Sequence, residues 1–154
     1  MRYLIALLAV AGIVVSCLAF QIHYSNKVQP CDINAHWDCG VVNHSSFSTV
    51  NGLWWHLRDS FHPGSLPGPA PRTGLPVAAV GVVGYAVILL LALFRRRSWL
   101  FLVSLGALAF ALWLSSIEAH QLEVWCLYCL ISQCLIALIT LLSLVWLFFR
   151  PRRA

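Results

Sequence analysis

Charge is scarce in this sequence. Only 10% of its 154 residues are charged: five acids and ten basic residues, among which Lys27 is the single lysine. A folded domain surrounded by water needs more polar surface than that, so an ordinary soluble globule is excluded. The chain also lacks internal repeats, a GxGxxG fingerprint and a flavin motif. It has no haem-attachment Cys-x-x-Cys-His, because Leu130 follows Cys129. The sequence therefore encodes no binding signature for a nucleotide, flavin or haem cofactor.

Apolar length takes the place of charge. The chain is 60% hydrophobic, with a mean hydropathy of +0.82. Four stretches, residues 4–22, 75–94, 99–117 and 124–149, contain no charged side chain. Each approaches or exceeds the roughly 20 apolar residues a helix needs to cross a bilayer. They predict an all-α integral membrane protein, a four-helix transmembrane bundle forming one domain over residues 1–154. Met1-Arg2 and the apolar run after it also resemble a signal peptide, with Val14-Val15-Ser16-Cys17 like a lipoprotein cleavage site. The run continues through Leu18, Ala19 and Phe20, which favours a retained first span.

The few charges are sorted by side. Arg2, Arg95, Arg96, Arg97, Arg150, Arg152 and Arg153 flank the spans without an acid among them. Lys27, Arg58, Arg72 and all five acids fall on the other side. This positive-inside bias predicts a multi-pass protein of the cell inner membrane with both termini cytoplasmic. An outer loop, residues 23–73, and the short link at 118–123 then face outward. The arginines read as topology anchors, and no nucleic-acid partner is expected.

The outer loop has three parts. Residues 29–40 are polar and turn-prone, with Pro30, Asn34 and Gly40. In residues 46–61, Phe47, Val50, Trp54, Leu57 and Phe61 recur at spacings of three and four. That pattern predicts a short interfacial helix, readable as a lid or as a packed loop helix. Residues 62–73 carry Pro63, Pro67, Pro69 and Pro71 and read as an extended linker. Pro76 then falls in the first turn of the second span, and Gly74, Gly81 and Gly84 suit close packing against a neighbour.

Four cysteines carry the chemistry. Cys31 and Cys39 lie in the outer loop, and Cys126 and Cys129 form Cys126-Leu127-Tyr128-Cys129 at the outer start of the fourth span. The predicted topology puts both pairs on the oxidising side of the membrane, where disulfides persist. In a Cys-x-x-Cys at a helix start, two side chains one turn apart can close a disulfide. The first cysteine, at the positive end of the helix dipole, suits exchange with an incoming disulfide. The second, a turn deeper, suits a hydrophobic electron acceptor, and a quinone is the natural inference. A mobile Cys31/Cys39 pair could relay electrons to the fixed pair through mixed disulfides. Two structural disulfides, or an all-thiolate zinc site, remain alternatives. Cys17 and Cys134 read as small apolar residues.

Other polar residues divide between roles. His36 and His44 lie near the loop cysteines and could move protons or remain solvated. Glu118, His120 and Glu123 read as a solvated link, with a proton path to reduced quinone as the alternative. Gln133, four residues after Cys129, can share its helix face and hydrogen-bond a quinone carbonyl, or it can join helices within the bundle.

The chain resembles the bacterial branch of the vitamin K epoxide reductase (VKOR) family. The resemblance rests on Cys31-x7-Cys39, the Gly40-Val41-Val42-Asn43-His44-Ser45 stretch, Gly74-Leu75-Pro76 through Gly84-Tyr85, and Cys126-Leu127-Tyr128-Cys129, in that order. It implies a four-helix bundle around a quinone of the menaquinone or ubiquinone class, with no metal. It implies that Cys31 and Cys39 are the shuttle pair, Cys126 and Cys129 the redox-active pair, and Cys129 the cysteine nearest the quinone. The expected activity is reoxidation of a separate, exported thioredoxin-like disulfide oxidase of the DsbA type, with reduction of quinone. The chain departs from the family at Gln133, where vertebrate relatives carry tyrosine, and in the longer 51–72 segment. Quinone-epoxide reduction and a non-enzymatic four-span protein with structural disulfides are the alternatives.

Overall fold

The computed structural model describes residues 1–25, 31–34, 36–64 and 68–149. Lys27, Gln29, Pro30, Pro67, Arg150, Arg152 and Arg153 lie outside them. Six α-helices occur in chain order: α1 (Arg2–Tyr24), α2 (Cys39–His44), α3 (Val50–Phe61), α4 (Val77–Leu93), α5 (Arg97–Ile117) and α6 (Leu127–Phe148). A 3-10 turn, Ser46–Ser48, precedes α3, and a π-helical turn, Glu118–Leu122, extends α5. No β-strand forms among the described residues, only isolated bridges. Among the described residues, three helices are long and apolar enough to cross a membrane: Arg2–Tyr24, Arg97–Leu122 and Leu127–Phe148. The fourth apolar helix, Val77–Leu93, has 17 residues.

Small residues decide how the long helices meet. The buried face of α1 includes Ile5, Ala9, Gly12, Ser16, Ala19 and Ile22, at spacings of three and four. These short side chains let α4 approach closely, and α1 packs more extensively against α4 than any other two elements pack. A Cβ added at Gly81 would come within 2.9 Å of Ser16 Oγ, and one at Gly12 would overlap the Tyr85 ring. Tyr85 in turn donates its hydroxyl hydrogen to the Ser132 carbonyl of α6 at 2.7 Å. Gly84 faces open space instead of a neighbour. At the Arg95–Arg97 end, the Arg97 guanidinium lies over the Trp146 ring at 4.8 Å and joins the start of α5 to the end of α6.

Element boundaries differ from the charge-free stretches for physical reasons. Pro76 is the N-cap of α4 and lies just outside its first turn. Leu75 lies outside that helix because its carbonyl accepts the Val50 N–H at 2.9 Å, which pins the start of α3 to the start of α4. Val124 and Trp125 stay outside α6, because the chain there is paired to the outer loop. Residues 39–44 are helical, so the helix begins inside the 29–40 segment expected to be turn-prone. Asp38 caps α2 by accepting the Val41 N–H at 2.8 Å, and Asp32 accepts the Gly40 N–H at 3.2 Å.

The expected interfacial helix is α3, with Thr49 as its N-cap. Val50, Trp54, Leu57 and Phe61 form an exposed apolar stripe along it. Phe47 lies in the preceding 3-10 turn and stacks on His56 with ring centroids 3.9 Å apart. His56 Nε2 pairs with Ser46 Oγ at 2.8 Å. Burial lowers the His56 pKa from its ordinary 6.5, and Asp59 partly opposes that shift. The unfolded segment therefore takes up a proton before the folded one as pH falls below 6.5. Docking of α3 on the turn is expected to be strongest above that pH and to weaken as pH falls toward the folded value. Limited proteolysis between residues 46 and 61 should accelerate on acidification in wild type and lose that pH dependence in His56→Gln.

Candidate functional site

The site is assembled where α2 meets the N-terminus of α6. Cys31 and Cys39 form a disulfide, with Cα atoms 5.9 Å apart and both residues buried. The Asp32 carboxylate lies with the two sulfurs, all within 4.8 Å of one another, but both sulfurs are committed to the disulfide. Cys126 is fully buried and packs with Cys31, Cys39, Ile22 and Val42 in one cluster. Cys129 is half-buried against the same cluster. Cys126 and Cys129 are free thiols.

A backbone bridge holds the two pairs together. Trp37 pairs in parallel with Trp125. Asp38 N–H donates to the Trp125 carbonyl at 3.2 Å, and Trp125 N–H donates to the His36 carbonyl at 2.8 Å. Trp125 immediately precedes Cys126, and Asp38 immediately precedes Cys39. The bridge thus sets the thiol beside the disulfide, and the loop is docked where a flexible stretch is expected.

Helix geometry separates the roles of the two thiols. Cys126 is the N-cap of α6, and its sulfur accepts the Cys129 N–H at 3.4 Å. Asn43 Nδ2 reaches the same sulfur at 3.7 Å while donating to the Cys39 carbonyl at 2.9 Å. Donors aimed at a sulfur stabilise its anionic, nucleophilic form. Cys129, one turn further along, lines a cavity of about 370 Å³ between α1, α4, α5 and α6. The cavity wall is mostly apolar, with polar points at Asn43, Tyr85, Ser115, Glu118 and Ser132. Residues of α2 and the 3-10 turn line it as well, including Val42, Phe47 and Ser48.

The remaining candidate residues take varied positions. Gln133 is not among the residues lining the cavity; its side-chain oxygen accepts the Ser115 hydroxyl and ties α6 to α5. Ser132, three residues after Cys129 instead of four, takes the cavity side and pairs with Tyr85. His44 turns back on its own helix, Nδ1 lying 2.8 Å from the Gly40 carbonyl. His36 enters the site through its backbone carbonyl. Cys17 and Cys134 are on exposed helix faces.

The link before α6 also differs from expectation. His120 is exposed, but Glu118 is 4% exposed and its Oε2 accepts the Cys126 N–H at 3.3 Å. Glu118 lies at the end of an apolar span, a place where a lone acid deserves a functional reading, and this is the signal the solvated-link reading passes over. Tyr85 and Asn43 carry no such signal in the sequence beyond their place in recurrent stretches.

A cysteine disulfide, an adjacent buried thiol and a second thiol on an apolar cavity thus lie side by side in one part of the fold. No curated protein matches the chain. The family model described as the vitamin K epoxide reductase family matches residues 3–144. The match takes in every helix that builds the site, and the chain belongs to the vitamin K epoxide reductase family, whose members are membrane oxidoreductases.

Proposed function

We propose that the protein transfers electrons from an exported thioredoxin-like disulfide oxidase to a membrane quinone, generating disulfides outside the cytoplasm. One observation carries this reading: Cys126 packs with the Cys31–Cys39 disulfide while Cys129, one turn away, opens on the apolar cavity. Electrons enter at Cys31 and Cys39, pass to Cys126 by exchange, and leave from Cys129.

The cavity suits a quinone head group. Its volume of about 370 Å³ lies within the range of small-molecule sites. Apolar walls match a prenylated ring, and the Tyr85–Ser132 hydroxyl pair offers a polar partner for a ring oxygen through Ser132 Oγ. A bound quinone supplies a two-electron acceptor at the Cys129 end of the path. The protein's own task is to exclude water and hold Cys129 against that space.

The membrane arrangement follows from the same residues. α4, with 17 residues, extends about 26 Å, and Leu75 and Phe94 lengthen its apolar reach. It therefore serves as the second of four spans, with slight tilt or thinning at its ends. The Arg95–Arg97 turn faces the cytoplasm, the site faces outward, and the exposed stripe of α3 rests in the outer interface.

The test is quinone reduction by the purified protein in lipid, supplied in turn with reduced thioredoxin-like donors. Quinol should accumulate with matching oxidation of one donor. Donors that stay reduced throughout, together with a Cys31–Cys39 disulfide whose potential lies below about −300 mV, would instead fit a structural bridge.

A further inference from the structure

Glu118 is the one acidic side chain that is buried among the described residues. Its place follows from the backbone. At Ile117 the α-helix gives way to the wider π-helical turn, and Glu123, at φ +53°, then turns the chain into the bridge with the outer loop. Such turns recur at functional sites because they redirect a side chain without ending the helix. Here the turn points Glu118 at the start of α6.

A buried carboxylate requires a partner, and Glu118 has one at the N-terminus of α6. The Cys126 N–H donates to it at 3.3 Å. Glu118 also lines the cavity beside Cys129. An anchor for the N-terminus of α6 would need only that hydrogen bond. The place of Glu118 on the cavity wall sets a proton-accepting group in the space that the Cys129 sulfur also faces.

We propose that Glu118 is the proton-transfer residue for Cys129. This rests on the quinone-reducing function argued above. As Cys126 and Cys129 become a disulfide, two S–H bonds break, one S–S bond forms, and two electrons and two protons leave. The electron acceptor is a quinone, which departs as quinol. The Glu118 carboxylate takes the proton from Cys129 Sγ and releases it on the cavity side. The other titratable groups nearby are Cys126, at the start of α6, and Tyr85 of α4, whose hydroxyl is engaged with Ser132. His120, on the same turn, is exposed and bonded to the Ser116 carbonyl.

Glu118→Gln keeps an oxygen for the Cys126 N–H and removes the proton acceptor. It should lower quinol formation about a hundredfold, the usual scale for loss of a general base, and Glu118→Asp should restore part of that loss. In protein free of quinone, the pH profile of Cys129 alkylation by iodoacetamide should be displaced by about one pH unit in Glu118→Gln. An anchoring role alone would leave that profile in place. A Glu118→Gln protein with wild-type turnover, or with slow turnover but an unmoved alkylation profile, overturns the assignment. Cys129→Ala, measured beside it, separates the two levels. Quinol formation surviving in Cys129→Ala overturns the quinone reading itself, whereas its loss there with an unaffected Glu118→Gln removes only the role of Glu118.

Discussion

Cys126→Ala should abolish thiol-driven quinol formation, by about a thousandfold or more. Cys126 is the only described sulfur that belongs both to the buried cluster around the Cys31–Cys39 disulfide and to the Cys-x-x-Cys turn. Without it, no Cys126–Cys129 disulfide can form, and electrons arriving at the loop pair have no adjacent disulfide sulfur to pass to. Removing a nucleophile that forms a covalent intermediate typically costs that much or more. The fold should survive, because alanine fits the space and Asn43 keeps its bond to the Cys39 carbonyl. The Cys31–Cys39 disulfide should still form, and a reduced donor should still exchange with it. Stopped turnover with retained donor exchange is the expected pattern in a quinol absorbance assay paired with donor alkylation. Quinol formation within a few-fold of wild type would sink the relay.

The second large effect is on stability. Gly12→Leu should lower the unfolding temperature by roughly 5–15 °C, given a loss of about 2–4 kcal/mol. The reason lies in one contact: any Cβ at position 12 overlaps the Tyr85 ring. Tyr85 is nearly buried and bonded to Ser132, so the ring cannot rotate away without releasing α6. Overpacking accounts for about 1–3 kcal/mol of the loss and the broken hydrogen bond for about 1 kcal/mol. Gly12→Leu combined with Tyr85→Ala should recover part of the loss, since the added side chain then fills the vacated ring position. Thermal unfolding in detergent reads both. A single variant as stable as wild type would show that α1 and α4 do not meet as described.

The long helices were legible because a charge-free run of about 20 residues has few other solutions. The placement of Cys126 and Cys129 at a helix start was also readable from spacing and neighbouring aromatics. α2 was not, because a six-residue helix has little intrinsic stability and depends on Asp32 and Asp38, which also read as turn formers. Glu118 was misplaced because a π-helical turn leaves no periodic trace, and an acid between His120 and an apolar run looks solvated. Gln133 shows the limit of face arguments: positions three and four after Cys129 both lie near its face, and the neighbouring helix decides which one meets the cavity. Here α5 takes Gln133 through Ser115, and α4 takes Ser132 through Tyr85.

The pairing of residues 36–38 with Trp125 has a consequence for traffic through the protein. Cys31 and Cys39 are 2% and 0% exposed while that pairing holds. In the proposed relay, a donor therefore reaches the disulfide only in the fraction of molecules where the loop has lifted. Two net backbone hydrogen bonds are worth about 1–3 kcal/mol, so that fraction is about one in six to one in 160. A dilute bystander thiol meets a closed surface nearly all the time. A partner that binds the lifted loop supplies its own opening energy, and selectivity is exercised before any sulfur reacts. In the proposed relay, lifting the loop also separates Cys39 from Cys126, so exchange with a donor and transfer onward to Cys126 do not take place together.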